Sequence, residues 1–145
     1  MFSHQIKTAI DIQATPEAIW RELTNFAFYN DWNPMLQNVR GEARAGSKLK
    51  FEVLLGNNKR LKLSAKVGKA TTHEELHWTG GSALVIGGTH YFRLEKLSDG
   101  QTRLHHGEHF TGLLLPLMAK SIRRSEALYN AMNHALKERM EQQAA

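Results

Sequence analysis

Residues 117–142 read LMAKSIRRSEALYNAMNHALKERMEQ. Within this stretch Met118, Ile122, Ser125, Tyr129, Met132, Leu136 and Met140 recur at intervals of three and four, the spacing of one helix face. A helix over this span is roughly 40 Å long at 1.5 Å per residue. One stripe on so long a rod must be covered by a concave partner, and the only such surface in the chain is the apolar side of a sheet.

The residues before the helix supply that sheet. Leu49, Phe51 and Val53 alternate with Lys48, Lys50 and Glu52. After Gly56-Asn57-Asn58, a turn signal, Leu61, Leu63, Ala65 and Val67 alternate with Arg60, Lys62, Ser64 and Lys66, so the two runs form a hairpin with one oily face. Leu76 and Trp78 mark a further strand, and the pairs Gly80-Gly81 and Gly87-Gly88 flank Ser82 to Ile86 as a mobile lip. Two longer strands flank Ser98-Asp99-Gly100-Gln101. A two-residue loop there would set Phe92 opposite Gly107 and mix the faces. A three-residue loop, Asp99 to Gln101, sets Phe92 opposite Glu108, Leu94 opposite His106 and His90 opposite Phe110. The three-residue register is the one expected, with Gly100 taking the positive φ of a bulged turn.

Toward the N-terminus, Phe2, Ile6, Ile10 and Ile12 alternate with polar residues as a half-buried strand. Thr15-Pro16-Glu17 opens a helix, with a capping hydroxyl, a proline at the first turn and an acid beside it. Ile19, Trp20 and Leu23 form its buried stripe. A short helical turn follows around Phe26 to Tyr29 and stops at Asn33-Pro34, where Trp32 anchors the corner. Strand, two short helices, about six strands and one long helix make an α+β fold without βαβ alternation. A parallel nucleotide-binding sheet is disfavoured, and no glycine-rich phosphate loop appears.

The totals agree with one domain over residues 1–145. Hydrophobic residues make up 41% of the chain and charged residues 23%, which excludes a disordered or fibrous chain. With no cysteine, disulfides and thiol chemistry are excluded. No secretory signal follows Met1, and the longest apolar stretch, Leu113 to Ala119, is broken by Pro116, so a cytoplasmic location without a transmembrane segment is expected. The net charge of +5 is concentrated. Between Arg40 and Lys69 nine basic residues face only Glu42 and Glu52, a local balance of +7. Alternation puts them on the sheet face away from the helix, either as a solvated surface or as a docking face for an acidic protein or an anionic membrane. No nucleic-acid partner is expected.

Several residues, in order, carry a resemblance: Ile10-Asp11-Ile12 with Ala14, Pro16, Ile19 and Trp20; then Tyr29, Trp32-Asn33-Pro34 and Gly46; then Leu76 and Trp78; and finally Glu108, Phe110, Gly112 and Leu115-Pro116. With the element order they make the chain similar to the START-related helix-grip superfamily (SRPBCC), in its polyketide cyclase/dehydrase and lipid-transport-like branch. The resemblance implies a curved antiparallel sheet of about seven strands gripping the C-terminal helix. It also implies a cavity for lipids, polyketides or other hydrophobic molecules, and it brings no universal catalytic set.

On that arrangement the expected ligand contacts are Phe51, Leu63, Trp78, His90, Phe92, His106, Glu108, Phe110, Met118, Ile122 and Tyr129. The aromatic residues among them read equally as plain core. His90, His106 and Glu108 fall on the interior faces, where an unpaired charge is costly. Three readings stay open for them: mutual satisfaction, polar anchoring of a ligand, and acid-base catalysis of a cyclase or dehydratase type. A carrier or sensor of a small hydrophobic ligand is the leading expectation, with such an enzyme as its rival and a protein-docking module through the basic face as a third. His105 and His109 point away from His106 on a strand, and His73 and His77 have helical spacing in a strand segment, so no metal site is expected. No cofactor is expected either.

Overall fold

The fold was analysed as a computed structural model, which describes residues 2–144; the first and last residues of the expected 1–145 domain lie outside the described residues. β1 (Phe2–Ile12) is followed by α1 (Pro16–Thr24) and a 3₁₀ turn (Phe26–Asp31). Six further strands follow: β2 (Leu36–Arg40), β3 (Lys48–Gly56), β4 (Lys59–Thr71), β5 (Glu75–Gly81), β6 (Gly87–Ser98) and β7 (Gln101–Gly112). α2 (Leu115–Ala144) closes the chain. The seven strands form one antiparallel sheet in the order β1-β7-β6-β5-β4-β3-β2, so β1 closes a meander by pairing with its last strand. α2 lies along the concave side, against β1 and β7. This is the α+β helix-grip arrangement.

Local chemistry accounts for the ends of the elements. Thr15 accepts from the Ala18 amide at 3.2 Å with Pro16 in the first turn, as its sequence predicts. At the next corner the Asn33 side chain, almost fully buried, accepts from the amides of Met35 and Leu36 at 2.8 and 2.9 Å. It thereby turns the chain out of the 3₁₀ segment into β2, while Trp32 packs edge-on against Tyr29. Asn57 and Asn58, both at positive φ, make the two-residue turn between β3 and β4. Extra residues at Leu55, Gly68 and Leu97 interrupt the ladders and bend the sheet.

Two sequence expectations are corrected. β6 and β7 meet through a two-residue Asp99-Gly100 turn, with Ser98 opposite Gln101, not through a three-residue loop. The face-mixing that this turn would cause is removed one residue later, because Leu97 bulges out unpaired between Lys96↔Thr102 and Ser98↔Gln101. Phe92 therefore lies opposite His106, His90 opposite Glu108 and Leu94 opposite Leu104, and the same side chains still face inward. Gly100 does take a positive φ, 76°. β2 is the strand that periodicity overlooks: Asn38, at φ 53°, breaks its pairing between Gln37 and Arg40.

The core runs between α2 and the sheet. Met132, Leu136 and Met140, all 5% exposed or less, fill its lower part with Ile12, Leu104 and the α1 residues Ile19 and Leu23. The same half of α2 is latched from outside: Lys137 donates to the Asp11 carbonyl at 2.7 Å, the Gln13 amide donates to Glu141 at 2.9 Å, and Arg139 reaches Glu22 of α1. At the other end Met118 is 43% exposed, so the stripe leaves the core there.

Gly107 of β7 has no room for a side chain, since a Cβ there would overlap the Ile6 carbonyl and approach the Tyr91 hydroxyl. Gly107→Ala is expected to destabilise the fold by about 3 kcal/mol or more, read from the urea midpoint, because both obstacles belong to a paired strand and a packed ring.

Candidate functional site

Between the concave sheet and the upper half of α2 is a cavity of about 290 Å³. In its lower half α2 packs methionine and leucine into the core, whereas its upper turns line the cavity with Met118, Ser121, Ile122, Ser125, Leu128 and Tyr129. Phe51 and Trp78, with ring centroids 5.9 Å apart, form the sheet side. Gly80, Gly81, Gly87 and Gly88 line the cavity, and the lip between the two pairs is tied to the β7–α2 corner by Leu113 and Leu114 amides donating to the carbonyls of Leu84 and Val85. Leu61, Leu63 and Met118 are each more than 40% exposed, so the oily face of the β3–β4 hairpin ends as an open apolar mouth.

Nine of the eleven expected contact residues stand in the cavity wall: Phe51, Leu63, Trp78, His90, Glu108, Phe110, Met118, Ile122 and Tyr129. Phe92 and His106 do not. They lie a layer deeper, 1% and 0% exposed, with their rings stacked at 4.4 Å and 17°. Alternation identifies the face of a strand but not the depth along it. Met35 and Leu36 also line the cavity and escaped the sequence reading because β2 did. Ser121, four residues before Ser125, was within reach of the same helical spacing.

One hydrogen-bonded chain ends at the inner tip of the cavity. Asn133 of α2 donates from Nδ2 to Thr8 Oγ1 at 2.8 Å, and its Oδ1 is 2.7 Å from His106 Nδ1. His106 Nε2 meets His90 Nε2 at 2.7 Å. His90 Nδ1 lies 3.2 Å from Glu108 Oε1, and the Tyr129 hydroxyl donates to that same oxygen at 2.6 Å. His90 is sandwiched between Trp78 and Tyr129, at 5.0 and 5.4 Å. The other carboxylate oxygen of Glu108 rests over Gly88, where a Cβ would overlap it. Asn133 was not singled out from sequence, although it falls four residues after Tyr129 and three before Leu136.

Charges in this chain are set by burial. Enclosure, reinforced by the neighbouring His90, pushes His106 well below the usual imidazole range, and the Asn133 bond offsets this only in part. Burial and the adjacent Glu108 carboxyl push the Tyr129 phenol far above its ordinary value, so it acts as a donor. His106 has no face on the cavity, so a guest meets the chain only through His90, Glu108 and Tyr129. His105 and His109 turn outward to Glu95 and Gln5, each at 2.8 Å, and do not converge with His106. The nine basic residues from Arg40 to Lys69 are all exposed and none borders the cavity.

The shift at His106 carries a pH dependence of defined sign. Its folded pKa is depressed, so on acidification the unfolded chain takes up a proton that the folded chain refuses. This stabilisation is complete above the ordinary histidine value of about 6.5 and is lost progressively below it. Between about pH 7.5 and about pH 5.5 the urea midpoint is expected to fall, with a shallower slope in His106→Gln.

Residues 3–141 match the family described as polyketide cyclase/dehydrase and lipid transport. Comparison with curated proteins gives no match. Among solved structures, the Zhui aromatase/cyclase from Streptomyces sp. R1128 superposes with a TM-score of 0.76 at 12% identity, covering 99% of this chain and 97% of its own. A START superfamily protein from Mycobacterium smegmatis gives 0.75 at 19% identity, covering 96% and 98%. A norcoclaurine synthase point mutant from Thalictrum flavum, in complex with a transition-state analogue, gives 0.73 at 10% identity, covering 99% and 98%. Identities this low speak for the fold alone. The family match spans nearly the whole chain, and it means that the chain belongs to the polyketide cyclase/dehydrase and lipid transport family.

Proposed function

We propose that the protein binds a small hydrophobic molecule in the cavity between the sheet and α2, as a carrier or sensor. The observation that supports this reading most is a cavity of about 290 Å³ whose wall is mostly apolar and which opens among exposed leucine and methionine side chains. Burial there of a compact guest removes apolar surface from water at roughly 25 cal/mol per Å², while a few polar groups orient it. The family's description includes lipid transport, in keeping with a binding role. Freshly purified protein is expected to show a ligand adduct in native mass spectrometry that disappears on denaturation. A consistently bare mass, with no uptake of the neutral apolar dye N-phenyl-1-naphthylamine, contradicts the reading. Ser125→Phe fills the space left by the short side chain and is expected to weaken uptake of that dye by more than about tenfold without lowering the melting temperature.

One observation favours a second reading. His90, Glu108 and Tyr129 bring an imidazole, a carboxyl and a phenol to the same end of the apolar cavity, a set suited to proton transfer in a cyclase or dehydratase. Glu108→Gln separates the two readings: a carrier keeps most of its apolar affinity, whereas an enzyme of this kind loses pH-dependent turnover.

A further inference from the structure

The hydrogens in the buried chain can be counted. Thr8 Oγ1 donates to the His106 carbonyl at 2.5 Å, so toward Asn133 it accepts, and Asn133 Nδ2 is the donor at 2.8 Å. Asn133 therefore turns Oδ1 to His106, and His106 Nδ1 carries a hydrogen. With Nδ1 carrying the hydrogen, neutral His106 accepts at Nε2 and His90 Nε2 donates to it. His90 Nδ1 lies at ion-pair distance, 3.2 Å, from Glu108 Oε1, and the Tyr129 hydroxyl donates to that same oxygen.

This count determines what the cavity offers a guest. His90 Nε2 is taken by His106 and its Nδ1 faces Glu108 Oε1, the Tyr129 hydrogen goes to Glu108 Oε1, and the Ser125 hydroxyl donates to the Ile122 carbonyl at 2.6 Å. Glu108 Oε2, set over Gly88, has no protein partner among the described residues. No lysine or arginine stands in the wall. Ser64 and Ser121 can donate, but both are exposed at the mouth, where water competes. The inner end thus holds acceptors without a free donor or cation. A carboxylate brought there would be desolvated beside the Glu108 carboxyl without a donor or cation to meet it.

We infer that the cavity selects neutral apolar molecules bearing a hydroxyl, phenols or alcohols whose hydrogen is donated to Glu108 Oε2, and rejects apolar carboxylates. This rests on the cavity being a binding site and adds the chemistry of its occupant. Three probes of one shape test it: 4-hydroxybiphenyl, biphenyl and biphenyl-4-carboxylate, titrated by calorimetry into full-length protein freed of bound ligand. The phenol is expected to bind at least about tenfold tighter than biphenyl, the ratio appropriate to a buried hydrogen bond of this type, and the carboxylate weakest of the three. Gly88→Ala, which displaces Oε2 while keeping the carboxyl, and Glu108→Met, which removes it, should each bring the phenol-to-biphenyl ratio to about one; the ratio is unaffected by any general change in affinity. Equal binding of phenol and biphenyl, or a carboxylate as tight as the phenol, overturns the selectivity and leaves the cavity reading standing. No binding of any probe overturns the cavity reading, and this inference with it.

Discussion

The Asn133 amide, joining α2 to Thr8 on β1 and to His106 on β7, is the contact that positions the rest of the structure. Below it the helix packs tightly through Met132, Leu136 and Met140 and is latched by Lys137, Arg139 and Glu141. Above it the helix lines the cavity with Ser121, Ile122, Ser125 and Tyr129 among others. A buried amide with both ends bonded has little freedom to slide, since a shift by one residue would strand a histidine nitrogen and a hydroxyl without partners. The height of α2 over the sheet, and so the space left above it, is held at that point.

The polar chain starting at Asn133 also solves a problem of burial. Two imidazoles, a phenol and a carboxyl on the concave side of an apolar sheet would be destabilising singly. Joined end to end they satisfy one another, and the aromatic rings of Trp78, Phe92 and Tyr129 pack against the imidazole faces at 4.4 to 5.4 Å. At the cavity end Glu108 Oε2 is left without a partner among the described residues, and the missing side chain of Gly88 makes its position available.

Much of this could be read from residue order. The helix stripe, the β3–β4 hairpin, the Thr15-Pro16 helix start and the glycine-bordered lip follow from periodicity and turn chemistry acting over a few residues. The failures have local causes too. The β6–β7 register depended on a bulge at Leu97, and no residue type announces a single unpaired position in an exposed strand. β2 was hidden by Asn38 in a left-handed conformation, which interrupts the alternation of a five-residue strand. In the site, Phe92 and His106 share a face with His90 and Phe110, but curvature carries them away from the opening, a property of the whole sheet. Asn133 was the opposite case: its helical spacing from Tyr129 and Leu136 was visible, yet a polar residue on an apolar stripe has meaning only once its partners on two distant strands are known.

The upper half of α2 leaves space beneath it. Diffraction from crystals of the ligand-free protein under xenon pressure measures that space directly, because xenon enters apolar cavities and scatters strongly. Ordered xenon among Phe51, Trp78, Ser125 and Ile122 is the predicted result. Side chains closed over that position, with no xenon inside, would contradict it.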